Sequence, residues 1–189
     1  MITGKEYATQ AMSDKYNGIP YSELDCQAFV ERVLKDCGVR KSDGSAYNWK
    51  GSNHMWRTAL KWKGTLEECR RIYGEIPVGS WVFIVRNDGG EKERGYTDNE
   101  GNATHVGIYV KPDAEQVRDS TRTAKRDGVG YRKLEGFTHV GLPSMINYDT
   151  EDLNRKEAVF AIITIRDKTS SDEAILEALE TLTKYLKEC

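Results

Sequence analysis

Cys26 and His105 are the residues of this 189-residue chain whose types and settings point most directly to chemistry. Cys26 lies in Ser22-Glu23-Leu24-Asp25-Cys26-Gln27-Ala28-Phe29-Val30, where a helix is expected to begin. A cysteine at a helix N-terminus faces backbone N–H groups without intrahelical acceptors and the positive end of the helix dipole. Both favour the thiolate, the form that attacks electrophiles. His105 lies in the strand-like run Thr104-His105-Val106-Gly107-Ile108-Tyr109-Val110. A histidine among apolar neighbours is costly unless it has partners, and Gly107 is expected to leave room for thiol or substrate. A base beside a thiolate needs an orienting acceptor. Asp119, on the next expected strand, is the candidate, accepting the Nδ1–H of His105. The competing readings are a satisfied core histidine at 105 and an Asp119 carboxylate paired with Arg118 or Arg122.

The other candidates have simpler explanations. Cys37 continues the apolar stripe of the Cys26 helix, Cys69 sits in an expected helix after Glu67-Glu68, and Cys189 is the last residue. None of these cysteines forms a C-x-x-C pair. His54 is expected in a helix beside Trp56, in a partly exposed structural role. His139, in a segment read as loop, is a rival base. Three histidines this far apart, without H-E-x-x-H, argue against a zinc site, and no metal or cofactor is expected. There is no phosphate-binding loop or dinucleotide fingerprint.

The elements that must position these residues follow from periodicity and breakers. Residues 4–17 read as an amphipathic helix closed by Asn17-Gly18-Ile19-Pro20. The Cys26 helix carries an apolar stripe at Cys26, Phe29, Val30, Val33, Leu34 and Cys37 and should stop at Gly38, with Ser22 or Asp25 as its cap. Ser52-Asn53 should cap a helix over 54–60. Three of the four tryptophans, Trp49, Trp56 and Trp62, fall close together, as a cleft wall or as core, at even odds. Strands are expected at 81–85, 104–110, 116–120, 128–134 and 158–166, with the three central ones antiparallel because their connections are short. Residues 86–103 form a long charged, glycine-rich loop. A capped amphipathic helix closes the chain at 171–188. The sum is an α+β protein of one catalytic domain, residues 1–189, with a core over about 4–166.

Composition narrows the function classes. Hydrophobic content of 38% and charged content of 31% are ordinary for a globular protein, and the net charge is −2. No basic stripe suits nucleic acid, and no apolar run spans a bilayer. The N-terminus lacks the apolar h-region of a secretory signal, so either synthesis in the cytoplasm is expected or an export signal lies outside this sequence.

Three blocks then carry a resemblance: Asp25-Cys26-x-x-Phe29-Val30, Val78-Gly79-Ser80-Trp81-Val82-Phe83 and His105-Val106-Gly107-Ile108-Tyr109. In type and order they resemble the core blocks of NlpC-type papain-like cysteine peptidases. Gly51-Ser52-Asn53-His54-Met55-Trp56-Arg57 and Thr138-His139-Val140-Gly141-Leu142-Pro143 resemble the prophage and tail-associated branch. The resemblance covers roughly residues 4–150. It implies a papain-like fold, with a nucleophile helix packed on a mostly antiparallel sheet of about five to six strands. It also implies a cofactor-free hydrolase acting on peptidoglycan stem peptides, beside γ-D-glutamyl residues, at the bacterial cell wall, reached through phage or export machinery. The family nucleophile maps onto Cys26 and its histidine onto His105. The third polar position maps onto Asp119, where many members carry histidine. Tyr21 matches the tyrosine that lines the oxyanion site, although it stands closer to the cysteine than in many members. Asp25 and Trp56 are the further substrate-binding candidates. The family motif D-C-S-G reads Asp25-Cys26-Gln27-Ala28 here, which leaves the contacts of its serine unassigned. The alternatives are an amidase or acyltransferase on the same scaffold and a non-catalytic cell-wall-binding module of a phage structural protein. Acyltransferase relatives often place histidine before cysteine; the order here is the reverse.

Overall fold

The computed structural model describes residues 1–86, 96, 98–148, 161–162, 164–165 and 171–188, with side chains to 183 in the last segment. Its centre is a six-stranded antiparallel sheet. The strands are β2 (Leu60–Thr65), β3 (Trp81–Arg86), β4 (Asn102–Lys111), β5 (Gln116–Thr123), β6 (Arg126–Lys133) and β7 (His139–Pro143), in the order β2-β7-β3-β4-β5-β6. A parallel pair, β1 (Ile2–Thr3) and β8 (Ile146–Asn147), lies apart from it. The helices are α1 (Gly4–Ala11), α2 (Cys26–Asp36), α3 (Ser52–Thr58), α4 (Leu66–Tyr73) and α5 (Asp172–Glu188). The architecture is mixed α+β. No described helix is long and apolar enough to cross a membrane.

Local chemistry explains the helix that matters most. The Asp25 carboxylate accepts the Ala28 N–H at 2.8 Å, so Asp25 and not Ser22 is the N-cap of α2. At the other end, the Gly38 N–H bonds Lys35 O and the Val39 N–H bonds Leu34 O, with Gly38 at φ +76°. This paired closure satisfies the last carbonyls and uses the left-handed conformation that glycine adopts without strain. Phe29, Val30, Val33 and Leu34 are fully buried, and α2 packs on β4 and β5. Each such side chain removed from water contributes about 1.5–3 kcal/mol. Tyr7 of α1 ties the layers together: its hydroxyl donates to Val30 O at 3.2 Å and accepts the Trp81 indole N–H at 3.1 Å.

Four elements expected from the sequence differ in the structure. The 4–17 helix ends at Ala11 and resumes as a 3₁₀ turn at Asp14–Tyr16, which sends Tyr16 inward to Phe29 and its hydroxyl to Asp36. The 54–60 helix begins at Ser52, with Gly51 at its N-cap, and ends at Thr58; Leu60 already belongs to β2. His139 lies on β7, between β2 and β3, and not in a loop. The described residues of the expected 158–166 strand, 161–162 and 164–165, are helical. A short apolar run does not distinguish strand from buried helix by itself. Most of the expected 86–103 loop lies outside the described residues.

Candidate active site

Five polar or charged side chains are buried among the described residues, and three of them are consecutive on β5: Arg118, Asp119 and Ser120. Buried polar groups are retained where they have partners, and these partners converge on Cys26. Arg118 Nη2 donates to Asn17 Oδ1, and Ser120 Oγ donates to Leu24 O. On β6, Asp127 Oδ1 accepts the Tyr21 N–H at 3.2 Å. The β5–β6 hairpin thus holds the 17–24 segment that leads into α2. Cys26 is the first helical residue after the Asp25 cap, so its N–H has no intrahelical acceptor.

Between Arg118 and Ser120, Asp119 points to the histidine. Its Oδ2 lies 2.7 Å from His105 Nε2. The expected contact through Nδ1 is therefore corrected to Nε2, which leaves Nδ1 as the ring nitrogen not engaged by Asp119, and Cys26 is close enough to act on the ring. The ring is sandwiched further by Phe137, stacked at 5.8 Å between centroids and 29° between planes. Burial works against the imidazolium, but the hydrogen bonds and charges of Asp119 and Cys26 outweigh it and push the His105 value up to about 9. The ring is then protonated at neutral pH.

Gly107 does not leave room for a substrate. A Cβ there would stand 2.5 Å from Val117 Cγ1 and 3.1 Å from Asp119 Cβ, so the missing side chain lets β5 bring Asp119 to His105. Nor does Asp119 pair with Arg118 or Arg122. Its Oδ1 accepts from Arg126 Nη2, and Arg132 Nη1 lies 3.8 Å from Oδ2.

Tyr21 lies beside Cys26. Burial, then the neighbouring charges of Cys26 and Asp25, push its value up to about 12, so the hydroxyl keeps its proton. Asp25 is exposed, and its carboxylate is engaged as the helix cap. Trp56 is a packing residue: it is 4% exposed, edge-on to Phe83 and His139, and its indole N–H bonds Glu100 O at 3.2 Å. Trp49 is also core, edge-on to Trp81. Gln27, which stands where the resemblance expects serine, is structural. Its Nε2 bonds Trp49 O at 2.6 Å and Glu31 Oε1 at 2.8 Å, while Glu31 Oε1 accepts the Trp49 N–H. That clamp fixes Trp49 and its stacked neighbour Tyr47 beside the start of α2.

The remaining histidines are bound elsewhere. His54 Nδ1 accepts the Lys50 N–H at 3.3 Å. His139 Nδ1 meets Thr138 Oγ1 at 2.8 Å, and burial lowers its value. Burial raises the Cys37 thiol and pushes Cys69 up to about 12, so neither is a reactive thiolate at neutral pH. Among the described residues, no group of three or more His, Cys, Asp or Glu is arranged to hold a metal ion.

Local sequence does not mark Arg126 and Arg132, because their approach to Asp119 depends on the register of β6. The strand at 60–65 does carry a signal: Leu60, Trp62 and Gly64 alternate with Lys61 and Lys63 at period two. No protein-family model matches the chain, and no match is found among curated proteins or among solved structures.

Proposed function

We propose that this protein is a cysteine hydrolase of peptide bonds, with Cys26 as nucleophile, His105 as its proton carrier and Asp119 as the orienting acceptor. The observation that carries this reading is the fully buried Asp119, whose Oδ2 lies 2.7 Å from His105 Nε2, beside a helix-start Cys26 whose charge acts on the same ring. A helix-start cysteine against a histidine on a neighbouring sheet strand is also the arrangement of a papain-like enzyme, and we assign the chain to that class.

In the first half-reaction Cys26 Sγ forms a bond to the scissile carbonyl carbon, and the carbonyl π electrons move to oxygen. The Cys26 N–H and the Tyr21 hydroxyl are the donors nearest that developing charge. The His105 imidazolium gives its proton to the leaving nitrogen as the C–N bond breaks, and a thioester remains. In the second half-reaction His105 takes a proton from water, the hydroxide oxygen attacks the thioester, and the Cys26 thiolate leaves. Asp119 keeps one face of the ring fixed through both steps.

The substrate class we propose is the peptide of bacterial peptidoglycan, on the resemblance of the Cys26, Trp81 and His105 blocks. The test is digestion of purified peptidoglycan followed by mass spectrometry of the released muropeptides. Cleavage by the wild type and its loss in Cys26→Ala, with folding retained, are the expected results. Equal cleavage by Cys26→Ala sinks the assignment.

A further inference from the structure

Asp119 does not serve His105 alone. Its side chain is fully buried, and its two oxygens are divided: Oδ2 faces His105, while Oδ1 accepts from Arg126 Nη2. Arg126 is reached through a gap built for it. Asp119 pairs in register with Gly130 on β6, and a Cβ on Gly130 would stand 2.6 Å from Arg126 Cδ, with the guanidinium closer still. The side chain of Arg126 therefore lies back along its own strand, over Gly130, to the carboxylate. Its Nη1 donates to Tyr131 O at 3.2 Å, which fixes the guanidinium at a second point. On the other flank, the missing Cβ of Gly107 admits Asp119 itself. Arg132 contributes at longer range, 3.8 Å from Oδ2, with its guanidinium carbon 4.9 Å from the Phe137 ring centre.

We propose that Arg126 is a positioning residue of the Cys26–His105 pair, locking the Asp119 carboxylate in the plane that meets His105 Nε2 and offsetting part of its charge. This rests on the reading of Cys26 and His105 as nucleophile and proton carrier. The electrostatic consequence has a definite sign. The groups facing His105 are Cys26, with Tyr21 and Asp25 beside it at the start of α2, Asp119 on β5, and Arg126 and Arg132 on β6. Asp119 and a Cys26 thiolate hold the proton on His105; Arg126 opposes them. Without Arg126 only Arg132, at 3.8 Å, offsets Asp119, and more of the carboxylate charge acts on the imidazolium, which then releases its proton less readily to a leaving group. A guanidinium across one carboxylate from the ring is near enough to move that titration by about one pH unit.

The experiment measures alkylation of Cys26 by iodoacetamide against pH in the full chain, resolved by peptide mass spectrometry so that the other cysteines are followed separately. It needs no substrate. In the wild type, Cys26 should react at pH values below those of an ordinary thiol, with a further rise as His105 loses its proton. Arg126→Gln is expected to shift that rise upward by about one pH unit, and Arg126→Lys to keep it near the wild-type position. Gly130→Ala, which displaces the guanidinium without removing it, is expected to shift the rise in the same direction as Arg126→Gln. It carries the test if Arg126→Gln does not fold. A rise at the wild-type pH in folded Arg126→Gln or Gly130→Ala overturns the role of Arg126, even if the melting temperature falls, because loss of a structural ion pair alone would lower only stability. An ordinary thiol titration of Cys26 in the wild type removes the pair itself and with it the function proposed above, so the two failures are distinct.

Discussion

Asp119 concentrates the energetics at the scale of single residues, because a carboxylate with no exposure persists as a charge only with partners on both oxygens. Asp119→Asn keeps the shape and removes the charge. It should lower kcat/KM by about a hundredfold or more, whereas His139→Ala should leave kcat/KM within a few-fold. Steady-state hydrolysis of muropeptides ranks the two, and the reverse order would exchange their roles. His105 also bears on how stability depends on pH. Its value rises from 6.5 to about 9 on folding. In the proposed pair a Cys26 thiolate has given up the proton that the His105 ring holds, so the two cancel in the proton count. In Cys26→Ser no thiol titrates and Asp119 still favours the imidazolium, so the folded state holds a proton that the unfolded state has released; that stabilisation is complete below about pH 6.5 and is lost as pH rises through the folded value. Urea denaturation of Cys26→Ser at pH 6 and pH 9.5 should show that fall, and adding His105→Ala should flatten it. Equal slopes in both proteins would mean that His105 is not the group responsible.

The elements around the site are held by contacts made before the site itself. α2 depends on its cap: Asp25→Ala removes the acceptor for the Ala28 N–H and should cost about 1 kcal/mol. The same change tests whether Asp25 does anything beyond capping, since a purely structural loss would leave KM unchanged. The β5–β6 hairpin depends on a different set. Ser120 Oγ and Arg118 Nη2 reach the 17–24 segment, while Asp119 between them reaches His105. One strand therefore sets both the entry to α2, which bears the proposed nucleophile, and the orientation of His105, the proposed proton carrier. Ser120→Ala should leave Leu24 O without its hydroxyl donor and cost about 1–3 kcal/mol. It should also lower kcat more than it raises KM, because Cys26 loses its registration against His105. A stability loss with unchanged kcat would show that the 17–24 segment holds its place without the hairpin.

Across the whole molecule, Tyr7 of α1 is a polar link inside a largely apolar core, joined to α2 through Val30 O and to the sheet through the Trp81 indole. Tyr7→Phe strips a donor from Val30 O and an acceptor from the Trp81 indole while keeping the ring, so a loss of about 1–3 kcal/mol is expected in urea denaturation. A loss near zero would mean that those groups find other partners. The distribution of such contacts also explains what was legible in the chain. Cys26 at a helix start, the buried stripe Phe29, Val30, Val33 and Leu34, the Gly38 stop and the strands expected at 81–85 and 104–110, found at 81–86 and 102–111, follow from local rules: caps, period and breakers. The pairing of His105 with a carboxylate fourteen residues later also followed, because a short turn between antiparallel strands brings such positions together. What only the tertiary structure decided was non-local. The short β7 carries Gly141 and Pro143 and is recognisable as a strand through its neighbours β2 and β3. Trp56 and Trp49 are core because the sheet covers them, which their sequence clustering does not reveal. The approach of Asp119 to Nε2, and its grip by Arg126 in place of Arg118 or Arg122, depend on strand register and on space left by Gly107 and Gly130. Residue type and local spacing determine which groups can react and which element bears each one; register across strands, where a missing Cβ admits a neighbour's side chain, determines which groups meet.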